Sequence, residues 1–182
     1  MRVATIALEH MSPDQRAAHD EVVAGVRGRM PAPMRAWIHS PQMAAHAQKL
    51  GAFLRYATSL PPTLSELAIL VTARYWTSHF EWYAHKRDAL QAGLDPAIIS
   101  AIAERREPTF ADPVQRIVYQ YSRTLHEKRA ITQCLHDAAV AALGERGVVE
   151  LVGILGYYSL VSMTLNAFEI GLPDNEQIEL QD

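Results

Sequence analysis

Two carboxylates, a hydroxyl and an imidazole stand at fixed intervals within residues 63–93: Glu66, then Ser78, Glu81 and His85. On a helix, positions 78, 81 and 85 fall at i, i+3 and i+7 and share one face. Glu66 lies earlier, in an apolar run with Leu67, Ile69, Leu70 and Val71, and Trp76 and Trp82 flank the set. An imidazole titrates near neutrality and carboxylates tune it, so this set suits a site that holds and moves a proton. The same residues also have plainer roles. Glu66 can be the N3 acid of a capping box opened by Thr63. Glu81 and His85 can be a surface i, i+4 pair, and Ser78 a helix cap. A metal is a third use, with Glu81 and His85 as two ligands and Glu66 as another. Repeated Glu-x-x-His pairs and His-Glu-x-x-His are absent, so no metal is expected. No Gly-x-Ser-x-Gly elbow supports nucleophilic catalysis by Ser78.

The elements that must carry these residues are helices. The chain has 182 residues, 49% hydrophobic and 20% charged, which suits one domain spanning 1–182 with a sizeable core. A net charge of −3 gives no reason to expect nucleic acid or an anionic membrane as partner. One cysteine, Cys134, excludes an internal disulfide or dithiol. The first residues lack a signal-peptide core, because Glu9 and His10 interrupt them, so a cytoplasmic location is expected. Residues 148–168 carry one charge, Glu150, and are long enough for a membrane span. Glu150, Asn166 and the missing basic flanks favour a buried bundle helix or an oligomer interface instead.

Cap signals divide the chain into about eight helices. Ser12-Pro13 opens the first, expected to end near Gly28, and Pro31 and Pro33 hold an irregular link. Ser40-Pro41 opens the second and Pro61-Pro62 stops it. Thr63 opens the third, which runs to about Trp76. A break at Thr77-Ser78 precedes the helix of Glu81 and His85, closed by Gly93. Asp95-Pro96, Asp112-Pro113 and Thr132 open three more, the last closed by Gly144, and a final helix covers about 148–170. No segment alternates with period two, so the fold class is all-α. A faint internal echo links the run from Glu66 with the run from Glu150. Its second copy has Leu165 and Glu169 where Glu81 and His85 would stand.

The run of Glu66-Leu67, Arg74, Trp76, Glu81-Trp82, His85 and Gly93-Leu94 resembles the carboxymuconolactone decarboxylase family of the alkylhydroperoxidase D-like superfamily. The likeness extends from about Ser40 onward, with 1–39 as an N-terminal helical extension. It implies an alkylhydroperoxidase D-like helical bundle that assembles as a trimer or hexamer. The superfamily's redox branch has Glu-x11-Cys-x-x-Cys-x-x-x-His, and here Ser78 and Glu81 stand in the cysteine positions. A thiol peroxidase is therefore disfavoured. The resemblance implies a cofactor-independent lyase that removes CO2 from a small lactone or related carboxylic acid. His85 would be the general acid, with Glu81 and Glu66 setting its protonation. Arg74 is the candidate to hold the substrate carboxylate. Trp82 is a candidate pocket wall, and His39, in the Pro-rich link, a lesser binding candidate. Another proton-transfer enzyme, such as an isomerase or hydrolase-like shuttle, and a non-catalytic ligand-binding oligomer remain as alternatives.

Overall fold

A computed structural model describes residues 1–26, 28–173 and 176–181. The described residues form eight α-helices and one short 3-10 turn, with no strand. They are α1 (Pro13–Ala24), α2 (Met34–Trp37), α3 (Pro41–Tyr56), α4 (Pro62–Tyr75), α5 (His79–Gln91), α6 (Pro96–Ala103), α7 (Pro113–Lys128) and α8 (Gln133–Ala167). The all-α expectation holds, and most predicted starts carry the expected caps. Ser12 and Gln15 make a reciprocal capping box at α1. Asp95, Asp112 and Thr132 each accept a backbone N–H at the starts of α6, α7 and α8.

Helix α4 is the hub, packed against α5, α6, α7 and α8. Its run from Leu64 to Arg74 is buried throughout, which explains why it is apolar on all sides. Helices α1 and α2 pack on α3, and α3 on α8. Helix α8 is the one described helix long and apolar enough to cross a membrane. Yet 61% of its most apolar stretch is buried inside the bundle, as in a core helix. It breaks at Gly144, where φ 71 and ψ 165 leave the helical region, so the expected division there is real.

Three local readings change. α1 stops at Ala24 rather than near Gly28, with Gly25 as its cap. The Pro-rich link contains α2, because Pro31 and Pro33 already have helix-compatible φ and leave no stranded N–H. The capping box at Thr63 does not form. Pro62 occupies the first helical position and starts α4 two residues earlier, with Pro61 as its N-cap. Thr63 then lies inside the helix, and its hydroxyl donates to the Ala92 carbonyl at 2.6 Å. Glu66 is thereby free for another partner.

The link from α4 to α5 is a tight reversal. Thr77 takes a left-handed conformation (φ 44). Its N–H bonds to the Arg74 carbonyl and that of Ser78 to the Ala73 carbonyl, the paired bonds of a Schellman turn. Gly93 (φ 85) closes α5 in the same way, with Gly93 bonded to Leu90 and Leu94 to Ala89. The first of these turns lays α5 back along α4 and so sets Glu66 opposite His85.

Candidate active site

His85 sits in the middle of α5, 1% exposed, between two carboxylates that are themselves buried. Its Nδ1 is 2.6 Å from Glu66 Oε2 on α4, and its Nε2 is 2.9 Å from Glu81 Oε1 one helical turn earlier. The edge of the Tyr158 ring, from α8, meets the imidazole at 4.9 Å between centroids. Burial alone would push the His85 pKa down. The charges of Glu66 and Glu81, and their hydrogen bonds, outweigh it and raise the pKa to about 9. His85 is therefore an imidazolium at neutral pH, donating one N–H to each carboxylate.

Arg55, from α3, completes the cluster. One guanidinium nitrogen makes an ion pair with Asp88, and the other lies 3.4 Å from His85 Nε2. That longer contact would be a hydrogen bond only to a neutral imidazole. The two shorter contacts to carboxylates favour the charged ring, so the Arg55 approach is one of like charges. Glu66, Glu81 and Asp88 around the two cations make it tolerable. Burial opposes the charge on Arg55, but Tyr158, Tyr56, Glu66 and Asp88 outweigh it and push its pKa up. Arg55 is a permanent cation.

The cluster opens on one side into a cavity of about 260 Å³. Glu81 and His85 line it and Glu66 does not, so Nε2 is the nitrogen on the cavity side and Nδ1 is held from behind. Arg29, Arg35, Arg55 and Arg87 also line it, against Glu81 as the lining carboxylate. Phe80, Val161 and the Tyr158 ring give it apolar walls. Such a space suits a small anion brought beside an acid. Ligand atoms of Glu66, His85 and Asp88 also lie within 4.8 Å of one another, close enough to share a metal ion. A metal there would have to displace the Arg55 guanidinium from Asp88.

No family model and no curated protein sequence matches the chain. Among solved structures, it is similar to the alkylhydroperoxidase AhpD core of an uncharacterized peroxidase-related protein from Ralstonia eutropha JMP134. The TM-score is 0.77 at 15% sequence identity, over 95% of this chain and 92% of that one. The chain has the AhpD-like fold.

Within this AhpD-like bundle, Glu66, Glu81 and His85 converge as their spacing suggested. The surface-pair and capping readings do not describe them, since all three are buried. The three residues expected to bind substrate lie elsewhere. Arg74 lines a different cavity, and its guanidinium donates to Thr77 Oγ1 and the Gln181 carbonyl. Eight residues after Glu66, it sits at the far end of α4. Trp82 is buried, and its indole N–H meets Glu179 in the C-terminal segment rather than the His85 cavity. His39 is exposed and bonded to the Ala4 carbonyl, tying down the N-terminal strand of chain. Ser78 is fully buried at the start of α5 and makes no side-chain cap bond.

Sequence reasoning missed Arg55 and Asp88. Asp88 was findable, because 81, 85 and 88 continue one helical face at i, i+4 and i+7. Arg55 sent no local signal, since it reaches the site only through the packing of α3.

Proposed function

We propose that the protein is a cofactor-independent lyase that decarboxylates a small lactone or related carboxylic acid. One observation carries this reading: a buried imidazolium, bracketed at 2.6 and 2.9 Å by two carboxylates, presents Nε2 to an arginine-lined cavity. The arginines, Arg55 foremost, hold the substrate through carboxylate oxygens. The scissile C–C bond breaks, CO2 leaves, and its electron pair stays on the substrate as an enolate. His85 then gives its Nε2 proton to that carbon and is reprotonated from water by way of Glu81. Glu66 keeps the ring oriented through Nδ1. General-acid assistance of this kind is typically worth ~10²–10⁴-fold. A thiol peroxidase would need an attacking thiolate and a resolving thiol. The chain has one cysteine, and Cys134, exposed on α8, does not line the His85 cavity.

The test is CO2 release from muconolactone-type acids. The wild-type protein turns over and His85→Gln does not, while its circular dichroism is unchanged. Arg55→Ala raises KM by roughly tenfold or more, as expected for losing a charge-assisted bond. Full turnover in His85→Gln would overturn the assignment. Deuterium uptake from heavy water without CO2 release would move the protein to the isomerase class. The expected trimer or hexamer is part of the same reading. It is supported by exposed apolar side chains on α8 (Val149, Val152, Leu160, Met163) and α3 (Leu50, Phe53). A monomer in light scattering would refute it.

A further inference from the structure

One carboxylate of the His85 cluster takes no part in the proton transfer. Asp88 follows His85 by one turn on α5 and does not line the His85 cavity. It holds two residues that do. Its Oδ2 pairs with a guanidinium nitrogen of Arg55, from the end of α3. Its Oδ1 accepts from Nε and Nη2 of Arg87, on its own helix, at 3.1 and 3.0 Å. Each carboxylate oxygen thus serves one arginine. Among the described residues, no other carboxylate lies within ion-pair distance of either arginine. Two cations share one carboxylate, so the three groups together keep a net positive charge.

Both arginines need such a hold. Arg55 Nη1 stands 3.4 Å from Nε2 of the His85 imidazolium, an approach of like charges that favours swinging away. Arg87 is 60% exposed, and a long side chain in water samples many rotamers. Asp88 is only 17% exposed and has a short side chain, so it is the fixed point of the three. It ties a guanidinium from α3 to one from α5 and gives the two a defined separation. A guanidinium carries five N–H donors, so both arginines keep donors for a ligand after bonding to Asp88.

We propose that Asp88 is a positioning residue that sets Arg55 and Arg87 as a two-guanidinium clamp for the carboxylate of the substrate. The proposal rests on the reading of the His85 cavity as a site for a small organic anion. Asp88 touches no substrate and moves no proton. The sign of its effect separates positioning from plain electrostatics. Asp88 is a negative charge beside a site for an anion, so removing a mere charge would tighten anion binding. Removing the residue that orders both arginines weakens it instead. Asp88→Asn separates positioning from packing. It keeps the shape but turns one accepting oxygen into an amide donor, which cannot accept from a guanidinium.

The experiment is a titration of the full chain with benzoate, at fixed neutral pH and low salt, followed by the NMR signals of the His85 ring. Wild type shows a saturable shift. Asp88→Asn and Asp88→Ala weaken binding by roughly tenfold or more, the scale of a lost charge-assisted bond. Asp88→Glu, which keeps two accepting oxygens, restores part of it. Unchanged circular dichroism checks that the variants fold. Binding by Asp88→Asn as tight as in wild type, or tighter, overturns the clamp and leaves the anion site standing. No saturable shift in wild type overturns both. Binding needs no turnover, so the titration decides the proposal even where no acid releases CO2.

Discussion

Replacing His85 by Gln has a consequence for stability that separates the site's electrostatics from its chemistry. In the folded protein the His85 pKa stands at about 9, against an ordinary value of 6.5. At ~1.36 kcal/mol per pH unit, that difference stabilises the native state by roughly 3 kcal/mol when the ring is charged in both states. Because the folded value is the higher one, the native chain binds more protons between the two values. The contribution is complete below about pH 6.5 and fades as pH rises through about 9. A few kcal/mol is a large part of a typical domain's net stability of about 5–15 kcal/mol. Urea unfolding midpoints, taken in steps between about pH 6 and pH 10, read this directly. Wild type should lose roughly 3 kcal/mol more than His85→Gln over that interval, the variant serving as baseline for every other titrating group. The curves should lie far apart at the acidic end, where the variant leaves Glu66 and Glu81 without their imidazolium, and approach each other at the basic end. Parallel curves would show that His85 is not charged between its carboxylates, and the general-acid argument would fail with them.

Two further substitutions test the packing that holds the site. Gly51 on α3 has no side chain because a Cβ there would land on the Tyr157 phenol. Tyr157 also lines the His85 cavity. Alanine is the better helix former by about 0.5–1 kcal/mol. Overpacking against a buried ring costs about 1–3 kcal/mol, so Gly51→Ala should lower the melting temperature and alter substrate KM. On α8, Glu150 Oε2 accepts both the backbone N–H and the hydroxyl of Ser59 at 2.6 Å, and Arg146 donates to its other oxygen at 2.7 Å. Glu150→Ala removes both bonds to Ser59, and because Ser59 is exposed and water can replace them the cost should be roughly 0.5–1.5 kcal/mol in chemical denaturation. Adding Ser59→Ala should cost less than it does alone, and full additivity would refute the link.

How far the sequence reveals this molecule depends on the range of the signal. Asp95-Pro96, Asp112-Pro113 and Thr132 are local, and each cap forms where the chain announces it. Glu81 and His85 are one turn apart, so their shared face is also a local fact. Glu66 was ambiguous, because Thr63-x-x-Glu66 spells a capping box as well as a site residue. Pro61-Pro62 settled it, since a proline at the first helical position moved the start and removed the donors that Glu66 would have capped. Arg55 was not legible. Its role depends on how α3 crosses the α4–α5 pair, and no spacing in the sequence carries that. Arg74 is near Glu66 in sequence but not in space. On a helix of 1.5 Å rise, eight residues are about 12 Å, which is enough to put it in another cavity.

Position 81 bears on the charge state of the His85 ring. A thiol there could resolve an oxidised partner at position 78 and would leave the imidazole with Glu66 alone. Glu81 instead places a second negative charge on the opposite ring nitrogen, and Ser78 cannot supply a thiolate. With one carboxylate, burial would compete with a single attraction for control of the ring. With two, attraction wins, and His85 holds its proton at neutral pH on the nitrogen that faces the cavity. Glu81 therefore holds the proton on the ring more firmly, and His85 is a weaker acid than a free imidazolium but is charged at neutral pH. Arg55 adds what the two carboxylates cannot, a positive charge on the cavity side, which under the proposed reading offsets the repulsion of an anionic substrate. In Glu81→Gln the ring keeps Glu66 but loses half of its bracket, so its pKa should fall from about 9 towards the ordinary 6.5. NMR titration of the His85 ring reads that fall, and an unchanged value would mean that Glu66 alone sets the charge.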